Sequence, residues 1–145
     1  MDENMELLLE VYQNSEMGVY TTTFLTKKLE DKENKIKHLL ESELNEYEKH
    51  FNLCEKLLKK NEVPLKGTGT MEKISSNIGI TMETMKDNSD SALAQMIIEG
   101  MTMGIVSITS SLEKYKSVCD KNIIKIAKNY VKFQEKEIEK LKEFL

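Results

Sequence analysis

One proline and six glycines in 145 residues leave this chain few means of stopping a helix. The elements must therefore be long. Apolar residues recur at helical spacing almost throughout. In the first segment, Leu8, Val11, Tyr12, Ser15, Val19, Thr22 and Leu25 follow one another at three- and four-residue steps. That spacing predicts a helix over 3–30. A second helix is expected to start at an Asp31 cap and run to about Lys60. Its inward face reads Ile36, Leu40, Glu43, Tyr47, His50, Cys54 and Leu57.

Pro64, Gly67 and Gly69 mark 61–70 as a loop. Thr70 can cap a short helix over 71–86, which 87–90 would break. Ser89 or Asp90 then caps a third long helix reaching about Tyr115. The last helix begins between Ser117 and Asp120 and continues to the C-terminus. Its inward face reads Ile123, Ala127, Tyr130, Gln134, Glu137 or Ile138, Leu141 and Phe144.

The expected architecture is all-α: an antiparallel four-helix bundle in a single domain, 1–145. One helical hairpin spans 3–60, a crossover with a short helix spans 61–89, and a second hairpin spans 90–145. Each long helix would measure roughly 40 Å at about 1.5 Å per residue. An internal echo relates the two hairpins. Met17-Gly18-Val19 matches Met103-Gly104-Ile105, and on the other helices Tyr47 aligns with Gln134 and His50 with Glu137. A glycine inside a helix costs about 1 kcal/mol against alanine. Close helix approach is the expected compensation.

Composition narrows the function classes. Charged residues make up 32% and apolar residues 39%, which is globular and not disordered. All 21 basic residues are lysine, and net charge is -4. Without arginine forks, the lysines at 121, 125, 128, 132 and 136 read as a solvated face, so no nucleic acid is expected. No uninterrupted apolar run has membrane length, so no span is expected. The acidic start, with Asp2, Glu3 and Glu6, does not look like a secretory signal. Two cysteines without a C-x-x-C make no disulfide framework, and a reducing cytoplasm is the expected location. Cys119, near a helix start, could react if exposed. The methionines at 82, 85, 96, 101 and 103 read as core filler or an adaptable surface. Neither a nucleophile elbow nor a phosphate-cradling loop occurs, so no catalytic residue is assigned.

The informative residues are polar ones inside apolar faces. Glu16 is the only charge between Glu10 and Lys27, and Glu99 the only one between Asp90 and Glu113. A buried carboxylate must be paired, hydrogen-bonded or metal-bound. Glu99 therefore reads three ways: buried against His50 or Tyr130, on the surface, or on a metal. Glu43, Tyr47 and His50 join from the second helix, and Tyr130, Gln134 and Glu137 from the fourth. All lie near mid-helix.

In helix order and length the whole chain resembles the ferritin-like superfamily, including small rubrerythrin-like bacterial proteins. That family's two-metal site takes one glutamate from each of two helices and an E-x-x-H from each of the other two. Here the corresponding slots hold Tyr47-x-x-His50 and Gln134-x-x-Glu137. The resemblance implies Glu16, Glu43, His50, Glu99 and Glu137 as candidate ligands for Fe or Mn. It implies iron binding or an oxidase or peroxide-related activity as the alternative function. The favoured expectation is a non-catalytic bundle with a buried polar network of Tyr47, Tyr130 and Gln134. It would act by self-association, as a homodimer, or through a protein partner. Its third helix, nearly charge-free from Ser91 to Leu112, needs covering on most sides, by the short crossover helix or by a second subunit.

Overall fold

The computed structural model describes residues 1–65 and 85–145. Four long helices account for most of them: α1 (Glu3–Lys28), α2 (Lys37–Lys60), α3 (Asp90–Tyr115) and α4 (Lys121–Leu141). A 3-10 turn, Lys142–Phe144, ends the chain. There is no strand among the described residues. Of the short helix expected over 71–86, residues 71–84 and the Thr70 cap lie outside the described residues; Met85 and Lys86 are not helical.

Local chemistry sets the helix starts. The Asp2 carboxylate accepts from Met5 N at 2.9 Å, and Ser89 Oγ accepts from Ala92 N at 3.2 Å. α2 departs from expectation. It starts at Lys37, beyond Asp31, and its own N-cap residue, Ile36, provides no side-chain bond. The acceptor comes from across the fold instead. Asp90 takes hydrogen bonds from Lys35 N at 3.1 Å, from Ile36 N at 3.4 Å and from Asn34 Nδ2 at 2.9 Å. A carboxylate at the first turn of α3 thereby serves the orphan amides of α2, and it suits the positive ends of both dipoles.

Residue pairs fix the helix directions. Tyr12 stacks on Phe51 and Gly18 faces Tyr47, so α1 and α2 are antiparallel. Tyr115 donates to Glu6 and Ser111 to Glu10, so α1 and α3 are antiparallel. Asn4 accepts from Asp120 N and Asn14 from Tyr130, so α1 and α4 run the same way. α2 and α3 are therefore parallel. The chain leaves α2 at one end of the molecule and enters α3 at the other.

The packing follows the periodicity. Leu8, Val11, Tyr12 and Leu25 of α1 are buried, as are Ile36, Leu40, Cys54 and Leu58 around α2 and Ile123, Ala127, Tyr130 and Leu141 of α4. Each fully buried leucine or isoleucine contributes about 1.5–3 kcal/mol over an exposed one. One continuous core draws on all four helices. The buried hydroxyls of Ser15 and Thr22 donate to the carbonyls of Tyr12 and Gly18 one turn back, so they need no partner from another helix.

α3 is different. An 18-residue window has a mean hydropathy of 1.4, yet only 33% of it is buried. By length and composition it could cross a membrane, as the core helix of a water-soluble protein also could. This tempers the expectation of no span, which counted only uninterrupted apolar runs.

Candidate functional site

A polar stretch lies inside the bundle where α2 meets α4. Glu43, Tyr47 and His50 are spaced i, i+4, i+7 on α2, and Tyr130, Gln134 and Glu137 repeat that spacing on α4. The equal spacing on antiparallel helices brings the two sets face to face. Glu43 is fully buried, Gln134 is 1% exposed and Glu137 is 2% exposed. Tyr47 and Tyr130 are buried too.

Hydrogen bonds tie three helices at this level. Tyr130 donates its hydroxyl to Asn14 Oδ1. Gln134 Nε2 donates to Tyr47 Oη at 3.3 Å and to Asn14 Oδ1 at 3.4 Å. The glycines make room for these side chains. A Cβ on Gly18 would overlap the Tyr47 ring. A Cβ on Gly104 would sit 2.9 Å from Asn14 Oδ1 and 3.0 Å from Gln134 Nε2. Thus Gly18 serves Tyr47 as Gly104 serves Gln134, which matches the alignment of the two hairpins. The close approach is of helix to side chain. Gly100 has nothing within 4 Å of its would-be Cβ and plays no such part.

Aromatic rings close one side. The His50 ring stacks on Phe133 at 5.2 Å and meets Tyr130 edge-on at 5.3 Å. Tyr47 meets Phe133 edge-on at 5.0 Å. Burial lowers the His50 pKa, with the Glu46 carboxylate opposing the shift. The imidazole is therefore held toward its neutral form.

The carboxylates are less well provided for. Neither oxygen of Glu43 has a hydrogen-bond partner among the described residues, nor does Gln134 Oε1. Lys140 Nζ approaches Glu137 Oε2 to 3.1 Å, but off the hydrogen-bond direction, so that oxygen also lacks a hydrogen bond. Burial, then the charge of Glu137, pushes the Glu43 carboxyl up to about 8, while Lys140 pulls it down. Burial raises Tyr47 and Tyr130 as well.

The five candidate metal ligands do not converge. Glu43 and Glu137 come together across α2 and α4. Glu16 is half-buried on α1 beside Tyr12, whose hydroxyl is pushed up to about 12 by burial and by that carboxylate. His50 packs among aromatic rings. Glu99 is exposed, which corrects the inward readings of it. α3 is apolar nearly all round, so its sequence gave no phase by which to orient Glu99. Among the described residues, no three His, Cys, Asp or Glu side chains are grouped to hold a metal ion. The donor set therefore does not fit a two-metal centre, which needs four carboxylates and two imidazoles in one cavity.

The thiols offer no nucleophile. Burial raises buried Cys54 to about 12, and burial with Glu3, Asp120 and Asp2 raises Cys119. The expectation that Cys119 gains from its helix start fails because burial, and then the acidic neighbours, outweigh the dipole. Sequence reading missed Asn14, although it stands one turn before Gly18 on the same face of α1. It also missed that Asp90 caps a helix other than its own. No family model, no curated protein and no solved structure matches this chain.

Proposed function

We propose that this chain is a non-catalytic helical bundle of ferritin-like topology that acts by association, with a second copy of itself as partner. Parallel α2 and α3, joined from opposite ends by one long connection, support the topology. The observation that carries the association is the outer face of α3. Met103 is 74% exposed and Val106 is 64% exposed. Around them stand Gly100, Thr102, Ser107, Thr109 and Ser110, all exposed and none charged. The glycine and the short side chains around Met103 lose little side-chain entropy on contact, and none of them carries a charge to desolvate. Twofold dimers are the commonest closed assembly, and their interface places one patch against itself. Glu99 and Glu113 flank the patch as a charged rim. Two free cysteines suit a reducing cytoplasm.

The di-metal alternative is set aside because Glu99 is exposed and His50 is occupied by rings. Light scattering tests the association. Molar mass should rise with concentration from 16.8 kDa toward twice that value, and Val106→Lys should abolish the rise. A wild-type mass fixed at the monomer value at every concentration would refute the reading.

A further inference from the structure

The seam between the hairpins contains more acceptors than donors. Glu43 brings two oxygens without a hydrogen bond, Gln134 Oε1 is a third, and Glu137 Oε2 has only its ion pair with Lys140. Both amide hydrogens of Gln134 sit on Nε2, which serves Tyr47 and Asn14. Buried acceptors of this kind are costly, and two buried carboxylate charges facing each other are costlier. A single added proton would remove one of the two charges and supply one donor. We propose that Glu43 and Glu137 hold one proton between them, and that this acid–carboxylate pair fastens α2 to α4.

The groups around the pair support this placement. On α4, Glu137 opposes ionisation of Glu43 and Lys140 favours it. Lys140 is half exposed and ion-paired to Glu137, whereas Glu43 has no such partner, so the proton belongs on Glu43. Tyr47 lies one turn along α2, and Tyr130 lies beyond Gln134. α1 brings the uncharged Thr22 to this level, one turn past the contact of Gly18 with Tyr47, and its hydroxyl is committed to the Gly18 carbonyl. α3 contributes Gly104 beside Gln134. No other described charge competes for the proton. α2 touches the second hairpin through Tyr47 and His50, which meet Gln134, Tyr130 and Phe133, and at its Asp90-capped end. Loss of the proton therefore falls on the contact of α2 with α4, while α1 keeps its own contacts with both helices of the second hairpin.

The sign of the pH dependence follows. Glu43 is raised from 4.5 to about 8 in the folded chain, so the folded state binds the proton more tightly. Stability from this group is complete below about pH 4.5, declines through about pH 8 and is then level. Within that window the folding equilibrium constant should fall by up to tenfold per pH unit, about 1.4 kcal/mol.

The test is a carbon-13 NMR titration of the glutamate carboxyls in the full chain, with denaturant melts across the same pH range. One carboxyl should titrate near pH 8. Glu43→Gln should remove that resonance and flatten the wild-type decline in stability. Glu137→Gln should move the high midpoint downward, because the opposing charge is gone. If Glu43→Gln fails to fold, the shift in Glu137→Gln decides. The proposal is overturned if every glutamate titrates in the ordinary carboxylate range, if the high midpoint survives Glu43→Gln, or if Glu137→Gln leaves it unmoved.

Discussion

The seam of α2 with α4 and the outer face of α3 invert the usual distribution of polarity in opposite senses. At the seam, two glutamates and a glutamine lie under 3% exposure among apolar side chains. On α3, a methionine and a valine stand in solvent at 74% and 64%. Each is unfavourable in an isolated chain, and the remedies differ. The seam can be satisfied from within, by hydrogen bonds and a retained proton. The side chains of the four long helices leave the α3 face open, and the proposed remedy is a second copy. The first inversion therefore bears on stability and its pH dependence, and the second on the association proposed above.

The largest contrast to test is between Tyr130 and Met103. Both are bulky, and truncation to alanine removes comparable apolar volume. Tyr130 is fully buried and holds Asn14. Tyr130→Ala should lower unfolding free energy by about 3–5 kcal/mol in urea melts. Met103→Ala, measured in dilute solution, should change it by less than about 0.5 kcal/mol. Equal effects would erase the distinction between the regions.

The mid-helix glycines give a smaller contrast with opposite signs. Tyr47 is packed between Phe133 and Tyr130 and is only 5% exposed, so its ring cannot yield to a Cβ on Gly18. Gly18→Ala should be destabilising by about 1 kcal/mol net, since overpacking of about 1–3 kcal/mol exceeds the gain in helix propensity. Gly100→Ala meets nothing and should stabilise by up to about 1 kcal/mol. Thermal melts of the two variants read this directly.

Much of the seam was legible in the sequence because it lies on helices with a clean apolar phase. On α2 and α4 the periodic pattern left only one orientation for Glu43, Tyr47 and Gln134, and Glu137 alternated with Ile138; all four polar residues are buried. The inward face of α2 included Leu57, whereas the fully buried position is Leu58, a difference of one residue in helical phase. His50 is half-buried rather than central. α3 was the opposite case. With apolar residues on every side it offers no phase, so the exposure of Glu99, Met103 and Val106 could come only from the fold. The start of α2 was misplaced for a related reason. Its cap is Asp90, more than fifty residues away in the chain, and a local signal at Asp31 could not reveal that.

Two methionines two residues apart on α3 supply the most direct test of the central claim. Met101 is 2% exposed in the core, and Met103 is 74% exposed on the outer face. Methyl NMR of methionine-labelled protein should be recorded over a dilution series, beside Val106→Lys. Association through this face predicts that the Met103 methyl shifts and broadens with concentration while Met101 stays fixed, and that Val106→Lys removes the effect. A Met103 methyl that is unchanged from the most dilute to the most concentrated sample would contradict it.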